Sequence, residues 1–589
     1  MKDFFKFVFA SMIGVILSFF ALFVLFIIFI TVIVSSAGSD GDVAVSPNSV
    51  MHMSLDYPIS ERSDKNPFGN FNFMGLEGQK TLGLKEILAG IEAAKTDKNI
   101  KGIYLDASSV SAGFATIEEI RNGLIDFKKS GKFLIAYSEV YTQGAYYLAS
   151  VADKIYLNPE GMVDFRGLNS ESMFFKGALD KMGIEAQIIK VGTYKSAVEP
   201  FILEKMSEAN REQVTSFLGS MYDHFLSEIS ASRKIPKATL FAIADSAKVR
   251  DPKDAVTFKM VDGLLYKDQV LDDLKSRTGI DKNKDVKSVS IENYASNERK
   301  ESSTSSNRIA VIYANGEIIS GEGNDNTMGS DRISRAIRKA RTDDKIKAVV
   351  LRVNSPGGSA LASDVMWREV VLTKKVKPVI VSMGDVAASG GYYIACAADS
   401  IFAQPNTITG SIGVFGIIPN MQKFFNDKLG ITFDGVKTGR FSDLGDVSRP
   451  LTEDEKMIFQ HEVDKTYNTF TKKVADGRKK SQAYIDSIGQ GRVWSGTEAV
   501  QNGLVDRLGD IDDAIKSAAK KAKLKDYKVV SYPTQVDPLK SLFDNSADKV
   551  RLYFVKKELG DNFTYYEQLK SALGVSGVQA RIPYNITVR

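Results

Sequence analysis

The segment Asp385-Val386-Ala387-Ala388-Ser389-Gly390-Gly391 has the makings of a site where a hydroxyl attacks a carbonyl. Ser389 is flanked by alanine and glycine, so a substrate carbonyl can reach its oxygen past small neighbours only. It follows the apolar run PVIVSMG and opens a helix-forming stretch, which leaves the Gly390 N–H facing any negative charge that develops there. A second segment, Asn354-Ser355-Pro356-Gly357-Gly358-Ser359, follows the apolar run KAVVLRV. Adjacent glycines let the backbone turn sharply and approach a ligand, and backbone N–H groups so placed stabilise an oxyanion. Each segment also has a plainer reading. A serine at a helix start is a common N-cap, and a glycine pair is a common strand-to-helix turn.

A serine hydroxyl needs a base to become a nucleophile. The chain has three histidines, His52, His224 and His461, none in a glycine-rich or strand-end context and none between Ser389 and residue 460. Sequence distance leaves a Ser-His-Asp triad open, but no local pattern favours one. The other base is a lysine, because burial disfavours its charged form and brings its pKa toward neutrality. Composition does not choose among so many lysines. The single cysteine, Cys396, lies in the apolar run YYIACAAD and is expected to pack as a small buried residue; no intramolecular disulfide is possible.

An internal repeat separates chemistry from mere turn formation. TDKNIKGIYL at 96–105 matches TDDKIKAVVL at 342–351, an offset of 246. The same offset aligns GAYYLASVADKIYLNP at 144–159 with GGYYIACAADSIFAQP at 390–405, and brings GTYKSAV near 192–198 opposite TGRFSDL near 438–444. An offset held over about a hundred residues marks a duplication. In this alignment Ser389 falls on Gln143, and Gly357-Gly358 falls on Ser111-Ala112. The first copy keeps Tyr146, Tyr147, Ala152, Asp153 and Pro159 but lacks the serine and the glycine pair together. Residues needed only for turns would be needed twice, so the second copy alone is expected to carry this chemistry.

The elements that must position these residues follow from the same runs. In each copy short apolar, β-rich segments alternate with helical ones, as in KAVVLRVN, ALASDVMWREVVLTKK, PVIVSMG, GGYYIACAAD and SIFAQP. Such alternation predicts βαβ units, an α/β fold with largely parallel sheets, and turns collected at one sheet edge. With 43% apolar and 25% charged residues the bulk of the chain is globular rather than disordered or collagen-like. A net charge of +5 from 77 basic and 72 acidic residues, interleaved, argues against a nucleic-acid partner. Residues 7–34 carry no charge over 28 positions, enough to cross a hydrocarbon core of about 30 Å and longer than the apolar part of a cleaved signal peptide. Lys2 and Lys6 precede the run, so a retained anchor with a cytoplasmic N-terminus is expected, with the rest of the chain on the far side. The expected organisation is residues 1–37 cytoplasmic start and anchor, 38–50 linker, 51–295 first copy, 296–308 linker, 309–540 second copy and 541–589 extension. The extension, with Tyr553, Phe554, Phe563, Tyr565 and Tyr566, has no partner in the first copy; it either packs on another subunit or is a plain extension.

VNSPGGSALASD, DVAASGGYYIACAAD, TITGSIGVFG and VGTYKSAVEPF resemble the motifs of the signal peptide peptidase A family in its long, tandem-repeat form, and the resemblance covers nearly all of residues 50–540 and the anchor. It implies tandem units of the crotonase and Clp-protease type. It also implies a serine protease in which Ser389 is the nucleophile, Lys195 the general base and Ser411 the partner that orients the lysine amine. Gly357 or Gly358, with Gly390, would form the oxyanion hole. The offset places Phe441 opposite Lys195, so the serine would come from one copy and the lysine from the other, and the two must pack together. The family degrades remnant signal peptides at the cytoplasmic membrane, on its outer side, as a bowl-shaped homo-oligomer, a tetramer in the long form. No HExxH or clustered His/Cys set occurs, so no metal or cofactor is expected. Two other classes fit less well. A crotonase-like acyl-CoA enzyme has no use for the serine and no acyl-CoA outside the membrane, and a non-catalytic scaffold has no use for intact Ser389, Lys195 and Ser411.

Overall fold

Strands buried on both faces read as continuous apolar runs, and such runs build two matching sheets. In the first half Gly263–Leu264, Lys154–Val163, Phe133–Tyr141, Ile100–Asp106, Ser49–Met53 and Ser288–Ser290 lie side by side in that order, all parallel. In the second half the order is Arg507–Leu508, Ser400–Ala403, Val379–Ala388, Ile346–Ser355, Arg308–Asn315 and Lys528–Tyr532, again parallel. Ile408–Gly410 continues the parallel pairing along Val379–Ala388, and Val493–Ser495 closes that edge in the antiparallel sense. This computed structural model describes residues 2–38, 45–63, 81–297, 305–535 and 578–582, with isolated positions 555, 558 and 563. The linker residues 39–44 and 298–304, and Tyr553, Phe554, Tyr565 and Tyr566, lie outside the described residues.

The helices repeat as the strands do. Leu84–Thr96 and Phe114–Lys128 in the first half correspond to Ser330–Thr342 and Ala360–Lys374 in the second. A long helix follows in each, Glu208–Arg233 and Glu453–Arg478. One core fills the first half around Ile103, Phe127, Tyr147 and Ile155; another fills the second around Val349, Met366, Tyr392 and Phe470. The N-terminal helix Lys2–Gly38 contains a span, Phe4–Leu25, of mean hydropathy 2.6, long and apolar enough for a single-pass anchor.

The halves differ at one decisive place. Glu185–Val191 is a strand, whereas its counterpart at 431–437 is not. That strand leaves its own half. It pairs antiparallel with Val414–Asn420 of the second half over seven residue pairs, from Val191 with Val414 to Glu185 with Asn420. Ile189 is thereby buried in the second half's core. A third sheet results, ordered Thr327–Gly329, Glu317–Ile319, Gly357–Ser359, Val578–Arg581, Val414–Asn420 and Glu185–Val191.

Candidate active site

Ser389 sits where the central strand Val379–Ala388 turns into the short helix Gly390–Ala395. Its backbone is at φ 54 and ψ −114, a region disfavoured for any residue with a Cβ, at a cost of about 1–3 kcal/mol. Hydrogen bonds hold it there. Its N–H donates to Gly410 O at 2.8 Å, and Tyr393 N–H donates to Ser389 O at 2.8 Å. The flanking glycines are needed for space. A Cβ on Gly390 would lie 2.6 Å from Ser363 Oγ, and one on Gly391 would lie 2.9 Å from Ser355 O. The helix therefore begins flush against the glycine loop, which side chains would hold away.

The cross-half strand pairing delivers the lysine. Because Val191 lies opposite Val414 in an antiparallel register, the chain after Val191 runs beside the chain before Val414. Lys195 thus comes to face Ser411 and Gly413. Its Nζ is 3.0 Å from Ser389 Oγ, 3.0 Å from Ser411 Oγ and 3.4 Å from Ser411 O. Ser411, like Ser389, has a positive φ, 49, and its N–H donates to Arg492 O at 2.7 Å. Ser389, Lys195 and Ser411 have at most 1% of their surface exposed. Burial without a carboxylate partner pushes the Lys195 amine down to about 7, because desolvation disfavours the ammonium.

Three residues with no recognisable chemistry hold this geometry. A Cβ on Gly491 would lie 2.6 Å from the N, Cα and Cβ of Lys195, and one on Gly413 would lie 3.1 Å from its Cδ. Both glycines make the slot that the lysine enters. Gln213, fully buried, donates to Tyr194 O and Ser196 Oγ on either side of Lys195 and accepts from Val493 N–H. Nothing in the sequence marks Gly491 or Gln213, since each matters only through a neighbour brought in from the other half.

The glycine loop lies alongside. Gly357 and Gly358 have φ of 98 and 154, and a Cβ on Gly357 would come within 2.8 Å of Gly390 N. The loop and the start of the Ser389 helix therefore form one surface. Gly357 N–H donates to Ser355 Oγ at 3.2 Å. A buried ion cluster ties the strands behind both motifs to the first half. Arg352 meets Glu61 at 2.9 Å and Glu119 at 2.7 Å, Asn354 Nδ2 donates to Glu61, and Thr116 donates to Asp385 from both N and Oγ1.

The other residues singled out lie elsewhere. His52 is 3.0 Å from Asp106, His224 is 3.3 Å from Glu118, and His461 is exposed on its helix. Cys396 is fully buried and its thiol is pushed up to about 12 by burial, which makes it inert. Gln143, opposite Ser389 in the alignment, uses its amide to satisfy the backbone at Arg166 and Gly167, so the corresponding place in the first half is plugged. Phe441, opposite Lys195, is 39% exposed and stacks under Arg440.

Comparison with known proteins bears on the same two halves. The peptidase family S49 model matches residues 126–281 and 372–525, together more than half of the chain, and the two matches start 246 residues apart. A Clp protease model matches residues 299–409, so the tandem units have the Clp-protease-like fold. Protease 4 of Salmonella typhi is 40% identical over 80% of this chain and 76% of its own length. Protease 4 of Haemophilus influenzae is 37% identical over 83% and 81%. The chloroplastic serine protease SPPA of Arabidopsis thaliana is 34% identical over 79% and 69%. This chain belongs to peptidase family S49, as a tandem-duplicated serine protease acting on peptide bonds.

Proposed function

We propose that this protease cuts peptide bonds with Ser389 as nucleophile and Lys195 as general base, one from each half. The observation that carries the reading is the 3.0 Å approach of Lys195 Nζ to Ser389 Oγ inside a site closed to water. A neutral amine has two N–H groups to give to Ser411 Oγ and Ser411 O, which leaves its lone pair for the Ser389 proton. With the amine near 7, a large fraction is neutral at physiological pH, the condition for an efficient base.

The steps follow from these atoms. Lys195 Nζ takes the Ser389 proton as Oγ attacks the substrate carbonyl carbon. The oxyanion is received by the N–H groups of Gly390 and Gly358. Gly358 is preferred to Gly357 because the Gly357 N–H is already given to Ser355 Oγ. Protonated Lys195, steadied by the two Ser411 oxygens, then gives its proton to the leaving amine. Water attacks the acyl-enzyme, Lys195 takes its proton, and Ser389 is restored.

The substrates are remnant signal peptides in or near the cytoplasmic membrane. The apolar helix Phe4–Leu25 supports this, since it holds the protease beside such peptides with the N-terminus cytoplasmic and the catalytic region outside. The motifs' resemblance supports it too, and a relative 34% identical over 41% of this chain, from Enterococcus faecium, bears the name putative signal peptide peptidase SppA. A homotetramer is part of the same proposal, and no cofactor enters it. A fluorophosphonate probe with a signal-peptide substrate tests the chemistry. Labelling and cleavage should both disappear in Ser389→Ala and cleavage in Lys195→Arg, whose guanidinium cannot accept a proton. Normal turnover in Lys195→Arg would sink the reading.

A further inference from the structure

The third sheet contains a strand that belongs to neither repeat. Val578–Arg581 inserts between Gly357–Ser359 and Val414–Asn420, antiparallel to both. Gly358 lies opposite Ala580, and Phe415 opposite Gln579. Its neighbours are thus the glycine loop on one side and, on the other, the strand that follows Ser411.

The register sets one carbonyl over the chemistry. A Cβ on Gly357 would lie 2.1 Å from Ala580 O, and one on Gly390 would lie 3.1 Å from it. The Ala580 carbonyl oxygen therefore lies where the Gly358 and Gly390 N–H groups converge. The chain is gripped on both sides of that carbonyl. Beyond it, Ile582 N–H donates to Pro356 O at 2.9 Å, and Arg581 pairs with Glu317 at 2.8 Å. Before it, Val578 pairs with Gly416. Ala580 and Ile582 are 0% and 2% exposed. With the strand in place Ser389 has no surface open to solvent.

An extended segment that pairs by its backbone on two sides and buries alternate side chains is how a peptide adds to a sheet. We infer that the slot between Gly357–Ser359 and Val414–Asn420 is the peptide-binding groove and that the chain's own segment Val578–Arg581 is its resident occupant, a tethered competitor that incoming peptide must displace. The inference rests on the reading of Ser389 as nucleophile only for its effect on turnover. It also sets a register. The residue at the Ala580 position faces a closed wall, so peptides with a small residue there fit and peptides with a bulky one do not.

Binding tests this without catalysis. The probe is a fluorescent peptide with the sequence of residues 575–585, titrated by anisotropy against Ser389→Ala protein carrying the full tail, lacking residues 578–589, or carrying Ala580→Trp. A tethered strand acts at an effective concentration of order millimolar and lowers apparent affinity by the fraction of time it occupies the groove. The peptide should bind at least about tenfold tighter to the truncated protein and to Ala580→Trp, whose side chain has no room in the groove. Ala580→Trp guards against a truncation that folds poorly. Equal affinity for all three proteins, or weaker binding without the tail, overturns the inference. In the active protein the same two changes should raise cleavage of a subsaturating peptide by a similar factor. If binding changes as expected while no form cleaves any peptide, the groove assignment stands and the hydrolytic reading falls.

Discussion

Replacing Lys195 by methionine should remove activity and at the same time stabilise the protein at neutral pH. The amine is held near 7 against its ordinary 10.5 by burial alone. At pH 7 the unfolded chain binds this proton and the folded chain largely does not, so burial of the amine costs about 4 kcal/mol there. Methionine of similar length removes that cost. It also loses the contacts to Ser389 Oγ and Ser411 Oγ, worth about 1 kcal/mol each. The net gain at pH 7 is about 2 kcal/mol. The sign of the pH dependence follows from the depressed lysine. Between 7 and 10.5 the unfolded state binds the extra proton, so the native protein gains stability as pH rises through this window. The variant has no such group, and its advantage should shrink and reverse as pH approaches 10.5. Urea unfolding of both proteins in detergent at pH 7, 8.5 and 10 measures this, and the pH profile of cleavage should rise with a midpoint near 7. A variant less stable than the native protein at pH 7, by an amount independent of pH, would mean that the amine is charged in the folded state, and the general-base argument would fail.

Other expectations follow from single contacts. Gly491→Ala places a Cβ 2.6 Å from the Lys195 backbone, so it should lower kcat by about a hundredfold while touching no reacting group; native-like turnover would show that the lysine slot has slack. Ser411→Ala removes an acceptor that steadies the ammonium, so kcat should fall far less than in Lys195→Ala, and the rising limb of the pH profile should move to lower pH. Arg352→Ala leaves Glu61 and Glu119 buried without their partner and should cost about 3–5 kcal/mol at pH 7, a loss that eases as the carboxylates protonate on acidification; a change below about 1 kcal/mol would show that water reaches the cluster.

Much of the fold was legible because its causes are local. KAVVLRV and PVIVSMG had to be strands buried on both faces, and the offset of 246 that aligns the two copies recurs in their sheet order and in the family match. The short motif around Ser389 was visible for the same reason, since small neighbours and a strand-to-helix turn are properties of adjacent residues. The lysine was not legible from chemistry. Nothing beside Lys195 in sequence lowers its affinity for protons, and only the resemblance of YKSAVEPF pointed to it. What brings it 3.0 Å from Ser389 is a seven-pair strand register between Glu185–Val191 and Val414–Asn420, a contact between segments more than two hundred residues apart. The same limit hid Gly491, Gln213 and the Val578–Arg581 strand, which no periodicity marks. Composition, periodicity and motif determine which elements form and which residues have the right functional groups, because those depend on neighbours along the chain. Burial, register and the meeting of the two halves decide which lysine loses its charge and what fills the groove, because desolvation and distance exist only once the chain has folded.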